Sequence, residues 1–219
     1  HSLRRVQEAD IDVDTIYFDE AHNSVQKNFV EATEYHSMYA NRCYFFTATP
    51  KHSKTPFKIG MNDGDIYGKV LVNVPAPKLV DEGVILPPKV TIKKIDVVDD
   101  SRHKHEHDCD HVISTIDDID IDKVLVCARS TKQIVNLVAQ SDFCCELNAR
   151  GYSWMYITSK TGAVIDGKKV DRETFFNTLN EWGKDDTKKF VVLHHSILSE
   201  GINVKGLEAA VFLRNMDYI

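Results

Sequence analysis

The chain has 219 residues, of which 42% are hydrophobic, and its formal net charge is −6. This length and apolar content predict a soluble globular protein with one large domain or two small ones, and no apolar run is long enough to cross a bilayer. The negative charge argues against a uniformly basic surface that binds nucleic acid nonspecifically, although a local basic groove remains compatible with it.

The first part of the chain predicts two strands that end in polar residues. After a short helix at residues 3–9, a β-branched and aromatic run over residues 15–18 predicts a strand, and Asp19 and Glu20 follow it directly. Residues 22–39 have helix-forming composition, and residues 42–46 predict a second strand that ends in Thr47-Ala48-Thr49-Pro50.

The acidic pair at the end of the first strand is a candidate metal site. In open α/β sheets, ligands lie outside the carboxyl ends of the strands, where two carboxylates can hold a metal ion and orient a water molecule. For Asp19 and Glu20 taken alone, a solvated acidic turn is the better interpretation.

The middle of the chain predicts a domain boundary. Residues 66–74 predict a strand and residues 78–82 a short helix, and the Gly- and Pro-containing segment 83–88 then has linker composition. An extended run over residues 90–98 follows, and we place the boundary near residues 88–96.

A histidine-rich stretch comes next. On a helix, His103, His107 and His111 would share one face, which makes a zinc site conceivable. Solvated surface is the favoured interpretation, because such patches seldom carry a fixed set of ligands.

The second part of the chain alternates strands with helices. We predict strands at residues 124–127, 154–157, 190–193 and 209–213, and helices at residues 131–149 and 171–182. Short apolar strands separated by helices of this length predict βαβ units in a parallel sheet.

Three motifs in this order resemble the superfamily 2 helicases and translocases. Asp19-Glu20-Ala21-His22 resembles motif II, Thr47-Ala48-Thr49 resembles motif III, and the segment 198–204, Leu-Ser-Glu-Gly-Ile-Asn-Val, resembles motif V. Residues 123–130 resemble the motif IV strand, and Thr158-Ser159-Lys160 the polar tip of the strand after it. The motif V text is most similar to type III restriction enzyme helicase subunits and to phage and viral helicases.

The resemblance implies an α/β fold of two RecA-like parallel-sheet domains. Residues 1–92 would be the C-terminal part of the first, ATP-binding domain, incomplete at its N-terminus, and residues 93–219 the second domain, incomplete at its C-terminus. The implied activity is hydrolysis of Mg-ATP at the interdomain cleft, coupled to movement on DNA or RNA, with DNA favoured. Further subunits of a larger complex are possible partners, and no membrane is expected.

The resemblance also assigns roles to single residues. Asp19 would hold Mg²⁺ and Glu20 would activate or orient the attacking water. His22, Thr47 and Thr49 would couple the triphosphate site to the nucleic-acid site, and an ST-turn before Pro50 is the structural alternative for the two threonines.

The remaining assignments lie in the second half of the chain. Gly201 and Asn203 would bind nucleotide. Many relatives have Asp where Asn203 stands, and Asn can hydrogen-bond a ribose hydroxyl but brings no charge. Five residues would contact nucleic acid: Arg129, Ser130, Thr158, Ser159 and Ser199. A capped, solvated helix start is almost as good an interpretation for Arg129, Ser130 and the nearby Lys132.

Two parts of such a motor are not found in these residues. The chain has no Gly-x-x-x-x-Gly-Lys-Ser/Thr phosphate loop, and no arginine-bearing motif VI follows Arg214. We therefore expect a fragment that alone neither hydrolyses ATP nor unwinds nucleic acid. A noncatalytic helicase-like scaffold or nucleic-acid-binding module is the alternative function.

The five cysteines bear on the compartment. Cys43, Cys109, Cys127, Cys144 and Cys145 are odd in number and lie mostly in apolar surroundings, which predicts reduced thiols without a disulfide framework. We expect the cytoplasm or another reducing intracellular compartment, which is the host cell if the protein is viral.

Overall fold

A computed structural model describes residues 2–87, 89–93, 103–195, 204 and 206–213. The chain divides into two compact units, His1–Ile92 and Lys93–Ile219. The protein is a mixed α/β protein whose larger sheet is mostly parallel. Within the described ranges, no helix combines the length and apolarity needed to span a bilayer.

The described residues of the first unit form two parallel strands and four short or medium helices. Its elements are α1 (Ser2–Glu8), β1 (Thr15–Phe18), a 3₁₀ turn (Ala21–Asn23), α2 (Lys27–Tyr39), β2 (Arg42–Phe45), α3 (Gly64–Tyr67) and α4 (Ala76–Asp81). Strands β1 and β2 pair in parallel with Phe18 opposite Phe45, and their rings stack with centroids 4.7 Å apart. Because the strands are parallel and in register, the residues that follow them lie at the same edge.

In the described part of the second unit, six strands form a sheet with helices on both faces. Its elements are α5 (Lys104–Ile119), β3 (Lys123–Ala128), α6 (Thr131–Gln140), α7 (Phe143–Ala149), β4 (Ser153–Thr158), β5 (Gly162–Ile165), β6 (Lys168–Val170), α8 (Arg172–Lys184), β7 (Phe190–His194) and β8 (Ala209–Leu213). The strand order is β6-β5-β4-β7-β3-β8, in which β4, β7, β3 and β8 are parallel.

Two hydrophobic clusters hold this sheet between its helices. Alternate strand residues such as Val126 and Leu193 pack against α5, α6 and α7, while their neighbours such as Val192 and Met155 pack against Phe175 and Leu179 of α8. Burial of both faces explains why β7 is apolar along most of its length instead of alternating with polar residues.

Two predictions of local structure are wrong. The strand predicted at residues 66–74 does not form: residues 66 and 67 belong to α3, and residues 68–75 are neither helix nor strand. Val70, Leu71 and Val72 are largely exposed there. A β-branched composition favours a strand only where another strand pairs with it, and the described sheet of this unit contains β1 and β2 alone.

The single helix predicted at residues 131–149 is in fact two helices. Ser141 ends α6, where its hydroxyl donates to the Leu137 carbonyl and accepts from the Phe143 amide at 3.3 Å. A serine side chain that bonds to nearby backbone groups in this way competes with continuation of the helix.

The hairpin of β5 and β6 was not predicted from the sequence. Asp166 and Gly167 both have positive φ (43° and 80°) and connect Ile165 to Lys168, its partner in the antiparallel pair. An Asp-Gly dipeptide between two short apolar runs is a signal for such a turn. The hairpin adds two antiparallel strands at the β4 side of the parallel sheet.

Helix α5 was not predicted, and the helix predicted over residues 22–39 begins at Lys27 as α2, after the 3₁₀ turn. The other predicted elements lie within a few residues of their predicted bounds. Strands β1 and β8 have the predicted bounds, and β2, β3, β4 and β7 differ by one residue at one or both ends. All five cysteines are free thiols, as predicted. The extended run predicted over residues 90–98 lies partly outside the described residues, and its described part, 90–93, is not a strand.

Candidate functional site

The candidate site begins where β1 ends. Asp19 is exposed, and its Oδ1 accepts a hydrogen bond from the Glu20 amide at 2.9 Å. Glu20 has left-handed backbone angles (φ 47°, ψ 45°) and turns the chain directly into the 3₁₀ turn. A left-handed residue other than glycine costs roughly 1–2 kcal/mol, and such positions are concentrated at functional sites.

Backbone hydrogen bonds join this turn to the end of β2. The Phe46 amide donates to the Phe18 carbonyl at 2.9 Å, and the Ala21 amide donates to the Phe46 carbonyl at 2.9 Å. Pairing of the two segments thus continues beyond the ends of β1 and β2. As a result, Thr47 lies beside His22.

His22 is buried and is surrounded by polar atoms of both motifs. Its Nδ1 lies 3.0 Å from Thr47 Oγ1, 3.5 Å from Thr49 Oγ1 and 3.3 Å from Glu20 Oε2. The Thr49 amide also donates to Thr47 Oγ1 at 3.1 Å. The Thr47 hydroxyl therefore takes part in two interactions. It forms the ST-turn that was the structural alternative for the threonines, and it also contacts His22.

The chemistry of this group of side chains fits a hydrated magnesium ion. Mg²⁺ is bound in proteins through one or two carboxylates, with water and substrate phosphates as its other ligands. Asp19 and Glu20 offer carboxylates at the carboxyl end of a parallel strand, and Asp19 is exposed enough for such an ion to reach it.

In the second unit, Ser130 caps a helix. Its Oγ accepts from the Gln133 amide at 3.2 Å, while the Arg129 amide donates to Gln133 Oε1 at 2.9 Å. The cleft beside this cap has a volume of about 210 Å³. It is lined by the basic side chains of Lys104, Arg129 and Lys132, and also by the carboxylate of Asp108, which accepts a hydrogen bond from Gln133. The capped helix start is thus present, and the cations beside it suit a phosphate group.

Thr158 and Ser159 occupy a tight turn at the end of β4. The Thr158 side chain is only 4% exposed, and its Oγ1 accepts from the Thr161 amide at 2.9 Å and lies 2.7 Å from Thr161 Oγ1. Ser159 is exposed at the same turn. The Thr158 hydroxyl therefore stabilises the turn between β4 and β5, whereas the Ser159 side chain is exposed to solvent.

The three assigned residues of motif V, Ser199, Gly201 and Asn203, lie outside the described residues. Val204, the last residue of that motif, is half-buried and packs against the cluster around α8.

The histidine-rich stretch forms the N-terminal half of α5. His103 Nδ1 lies 2.9 Å from Glu106 Oε2, and both side chains are exposed. Among the residues that the structure describes, no group of three or more histidine, cysteine or acidic side chains is arranged to hold a metal ion. His103 is exposed, whereas His107 and His111 are half-buried.

One contact was not predicted from the sequence. Cys127 Sγ lies 3.1 Å from His194 Nε2, and both residues are buried. They are partners in the register of β3 and β7. Their separation of 67 positions along the chain leaves no local signal for the contact.

The chain was also compared with known proteins. No protein-family model matches it, and no curated protein is significantly similar to it.

Proposed function

We propose that this protein acts as an ATP-dependent helicase or translocase on nucleic acid, with Mg-ATP as its energy source and DNA as the favoured partner. The observation that carries the proposal is the contact between His22 Nδ1 and Thr47 Oγ1 at 3.0 Å. It joins the acidic turn after β1 to the threonine turn after β2. The proposed fold is a pair of RecA-like domains divided near residue 92.

The acidic turn offers two of the groups that nucleoside triphosphate hydrolysis needs from a protein, a metal-binding carboxylate and a base for the water. Bound together with the triphosphate, Mg²⁺ would neutralise charge on the phosphate oxygens. Asp19 would hold this ion, and the Glu20 carboxylate would orient the attacking water and accept its proton. The hydrogen bond from the Glu20 amide to Asp19 Oδ1 fixes the two residues relative to each other.

The His22 contacts supply a physical means of coupling. Glu20 Oε2 and Thr47 Oγ1 both lie within 3.3 Å of the same imidazole nitrogen. A change in the charge around Glu20 during hydrolysis would alter which of these contacts His22 makes. The threonine turn would then pass that change to the segment that follows Pro50.

The proposal assigns phosphate contacts with nucleic acid to the second unit. Arg129 and Ser130 would contribute at the start of α6, Ser159 with Thr158 at the end of β4, and Ser199 in motif V. Gly201 and Asn203 would contact nucleotide. Further subunits of a larger assembly are compatible with this role.

The proposal is tested by ATP turnover of the protein expressed from its complete open reading frame, with and without single-stranded DNA or RNA. We expect turnover that nucleic acid stimulates. Glu20→Gln should lower it by about 100-fold or more, since loss of a general base typically costs that much. Asp19→Ala should abolish it, whereas Asp12→Asn, a change at an exposed acidic residue of the same unit, should leave it unchanged.

Two results would contradict the motor. Turnover that ignores nucleic acid, or that survives Asp19→Ala, would exclude it. Nucleic-acid binding without any turnover would instead support the noncatalytic scaffold.

A further inference from the structure

The segment that follows the threonine turn is unusually basic for this chain. Residues 35–62 contain Arg42, Lys51, Lys54 and Lys58 but no aspartate or glutamate, in a protein whose formal net charge is −6. Three of these cations lie within residues 51–58, Lys-His-Ser-Lys-Thr-Pro-Phe-Lys, which we call the basic loop. The basic loop is therefore a local positive feature on a negatively charged protein.

The basic loop is closed at its base by specific hydrogen bonds. Asn62 Oδ1 accepts from the Ser53 amide at 2.8 Å, and Asn62 Nδ2 donates to the Ser53 carbonyl at 3.0 Å. The Met61 amide donates to the Lys51 carbonyl at 2.8 Å. Gly60 is required at this closure because a Cβ there would lie 2.2 Å from the Ser53 nitrogen.

In the basic loop and its closure, the large apolar side chain is exposed and smaller residues are buried or half-buried. Gly60 is buried and Ser53 is half-buried, whereas Phe57 is 99% exposed and Lys54 and Lys58, before and after it in the sequence, are also exposed. A fully exposed phenylalanine gains no burial energy from the fold. Its ring is presented to solvent, with one lysine three residues before it and another directly after it, on a loop whose base is held by hydrogen bonds.

From these observations we infer that the basic loop binds single-stranded nucleic acid. A base stacks on the Phe57 ring, and Lys54 and Lys58 contact the phosphates next to that base. Proteins bind single strands through this combination of an aromatic platform and backbone-tracking cations. A duplex is not the favoured partner, because neighbouring base pairs cover the faces of each base and leave none to stack on Phe57. A protein partner is not favoured either, because one aromatic ring is too small an apolar patch for a stable protein interface.

Both ends of the basic loop are attached to the candidate site. Its first residue follows Pro50 and the threonine turn, and its closure leads directly into α3. In α3, the Tyr67 hydroxyl lies 2.9 Å from Ser24 Oγ, and the Tyr67 ring packs 4.8 Å from that of Phe45. A strand held by Phe57 would therefore lie one short connection away from the His22–Thr47 contact. This inference rests on the proposed function for its link to ATP hydrolysis.

The inference is tested by fluorescence anisotropy with labelled oligodeoxythymidylate and with a blunt duplex of the same length, in the absence of nucleotide. Phe57→Ala should weaken single-strand binding by about 5- to 100-fold, the range that loss of one stacked base produces. Duplex binding should change less than about twofold, and Phe57→Trp should retain single-strand affinity. Leu86→Ala, which also removes a largely exposed apolar side chain of this unit, is the matched control and should have no effect.

The lysines are tested by the salt dependence of the same binding. Removal of Lys54 and Lys58 together should reduce the slope of log affinity against log salt by about 1.4, because each phosphate contact to a single strand contributes about 0.7. The pair Lys168→Ala and Lys169→Ala, exposed lysines of the second unit, is the control for loss of charge alone.

Three outcomes would overturn the inference: no binding of single strands by the wild type, single-strand affinity of Phe57→Ala within about twofold of wild type, or equal loss of duplex and single-strand affinity. Failure of the motor is recognised separately. If ATP turnover requires Asp19 and Phe57→Ala binds normally, only the basic-loop inference fails. If turnover survives Asp19→Ala, the motor fails, and the anisotropy result still decides the role of the basic loop.

Discussion

His22 Nδ1 lies 3.0 Å from Thr47 Oγ1, and this contact joins two turns that are 25 residues apart in the sequence. The parallel pairing of β1 with β2 brings the turns together. If the contact couples hydrolysis to nucleic acid, its removal should affect the stimulated rate more than the basal rate.

Thr47→Val removes the hydroxyl while keeping the shape of the side chain. We expect nucleic-acid stimulation of ATP turnover to fall by about 2- to 10-fold, which corresponds to the net value of one hydrogen bond, with little change in the basal rate. Thr47→Ser keeps the hydroxyl and should preserve stimulation. Steady-state turnover with and without an oligonucleotide measures both, and equal stimulation in all three proteins would show that the contact is not the coupling element.

Gly206 should be much less tolerant of alanine than Gly167. Both have positive φ (76° and 80°), so each alanine incurs a backbone cost of about 1–2 kcal/mol. At Gly206, a Cβ would also lie 2.4 Å from the Gly183 carbonyl oxygen, whereas at Gly167 it meets nothing within 4 Å. We expect Gly206→Ala to lower the free energy of unfolding by about 1–3 kcal/mol more than Gly167→Ala does, as measured by urea denaturation. Equal losses for the two variants would contradict the close approach at Gly206.

The cysteines should react at very different rates in the folded protein. Burial raises the pKa of the Cys109 thiol to about 11 and that of Cys144 to about 12, whereas Cys145 is exposed. At pH 8 the reactive thiolate of Cys109 should then be rarer than in an unfolded chain by roughly 100-fold. We expect maleimide to label Cys145 first, and Cys109 and Cys144 only after denaturation, as mapped by peptide mass spectrometry. Prompt labelling of Cys109 in the native protein would contradict its burial.

These raised thiol pKa values also predict the sign of an alkaline effect. The unfolded chain ionises its thiols at lower pH than the folded protein, so it holds fewer protons above about pH 9. The free energy of unfolding should therefore be unaffected by these thiols below that pH and should fall as the pH rises toward 11. Thermal melts of Cys109→Ala should show a weaker decline than wild type over this window.

The ion pair between Arg150 and Asp117 should contribute to stability at neutral pH and not in acid. The guanidinium Nε and Nη2 donate to the two Asp117 oxygens at 2.8 and 3.0 Å, and this lowers the pKa of Asp117 below its usual value. A lowered carboxyl pKa means that the contribution is present above the unfolded pKa and is lost as pH falls through the folded one. The melting temperature of Asp117→Asn should thus lie below that of wild type at pH 7 and approach it below about pH 3. A difference that stays constant with pH would show that the pair contributes nothing through its charge.

The basic loop could have been recognised from the sequence, because its signal is local. Four cations and no carboxylate over residues 35–62, with a phenylalanine between two lysines, are visible without a structure. What the sequence does not contain is the exposure of Phe57 and the hydrogen bonds of Asn62 with Ser53. The same composition in a buried segment would have made Phe57 a core residue.

The amino-acid sequence by itself determined where most strands lie, because a short apolar run that ends at polar residues is a local pattern. It also placed Asp19, Glu20 and Thr47 at strand ends. Only the tertiary structure decided which strands pair, that β7 lies between β3 and β4, and that residues 68–75 form no strand. Pairing joins residues far apart in the chain, so its energy depends on partners that no local window contains. The contacts of His22 with Thr47 and of Cys127 with His194 follow from that pairing, and for this reason they could not be predicted from spacing alone.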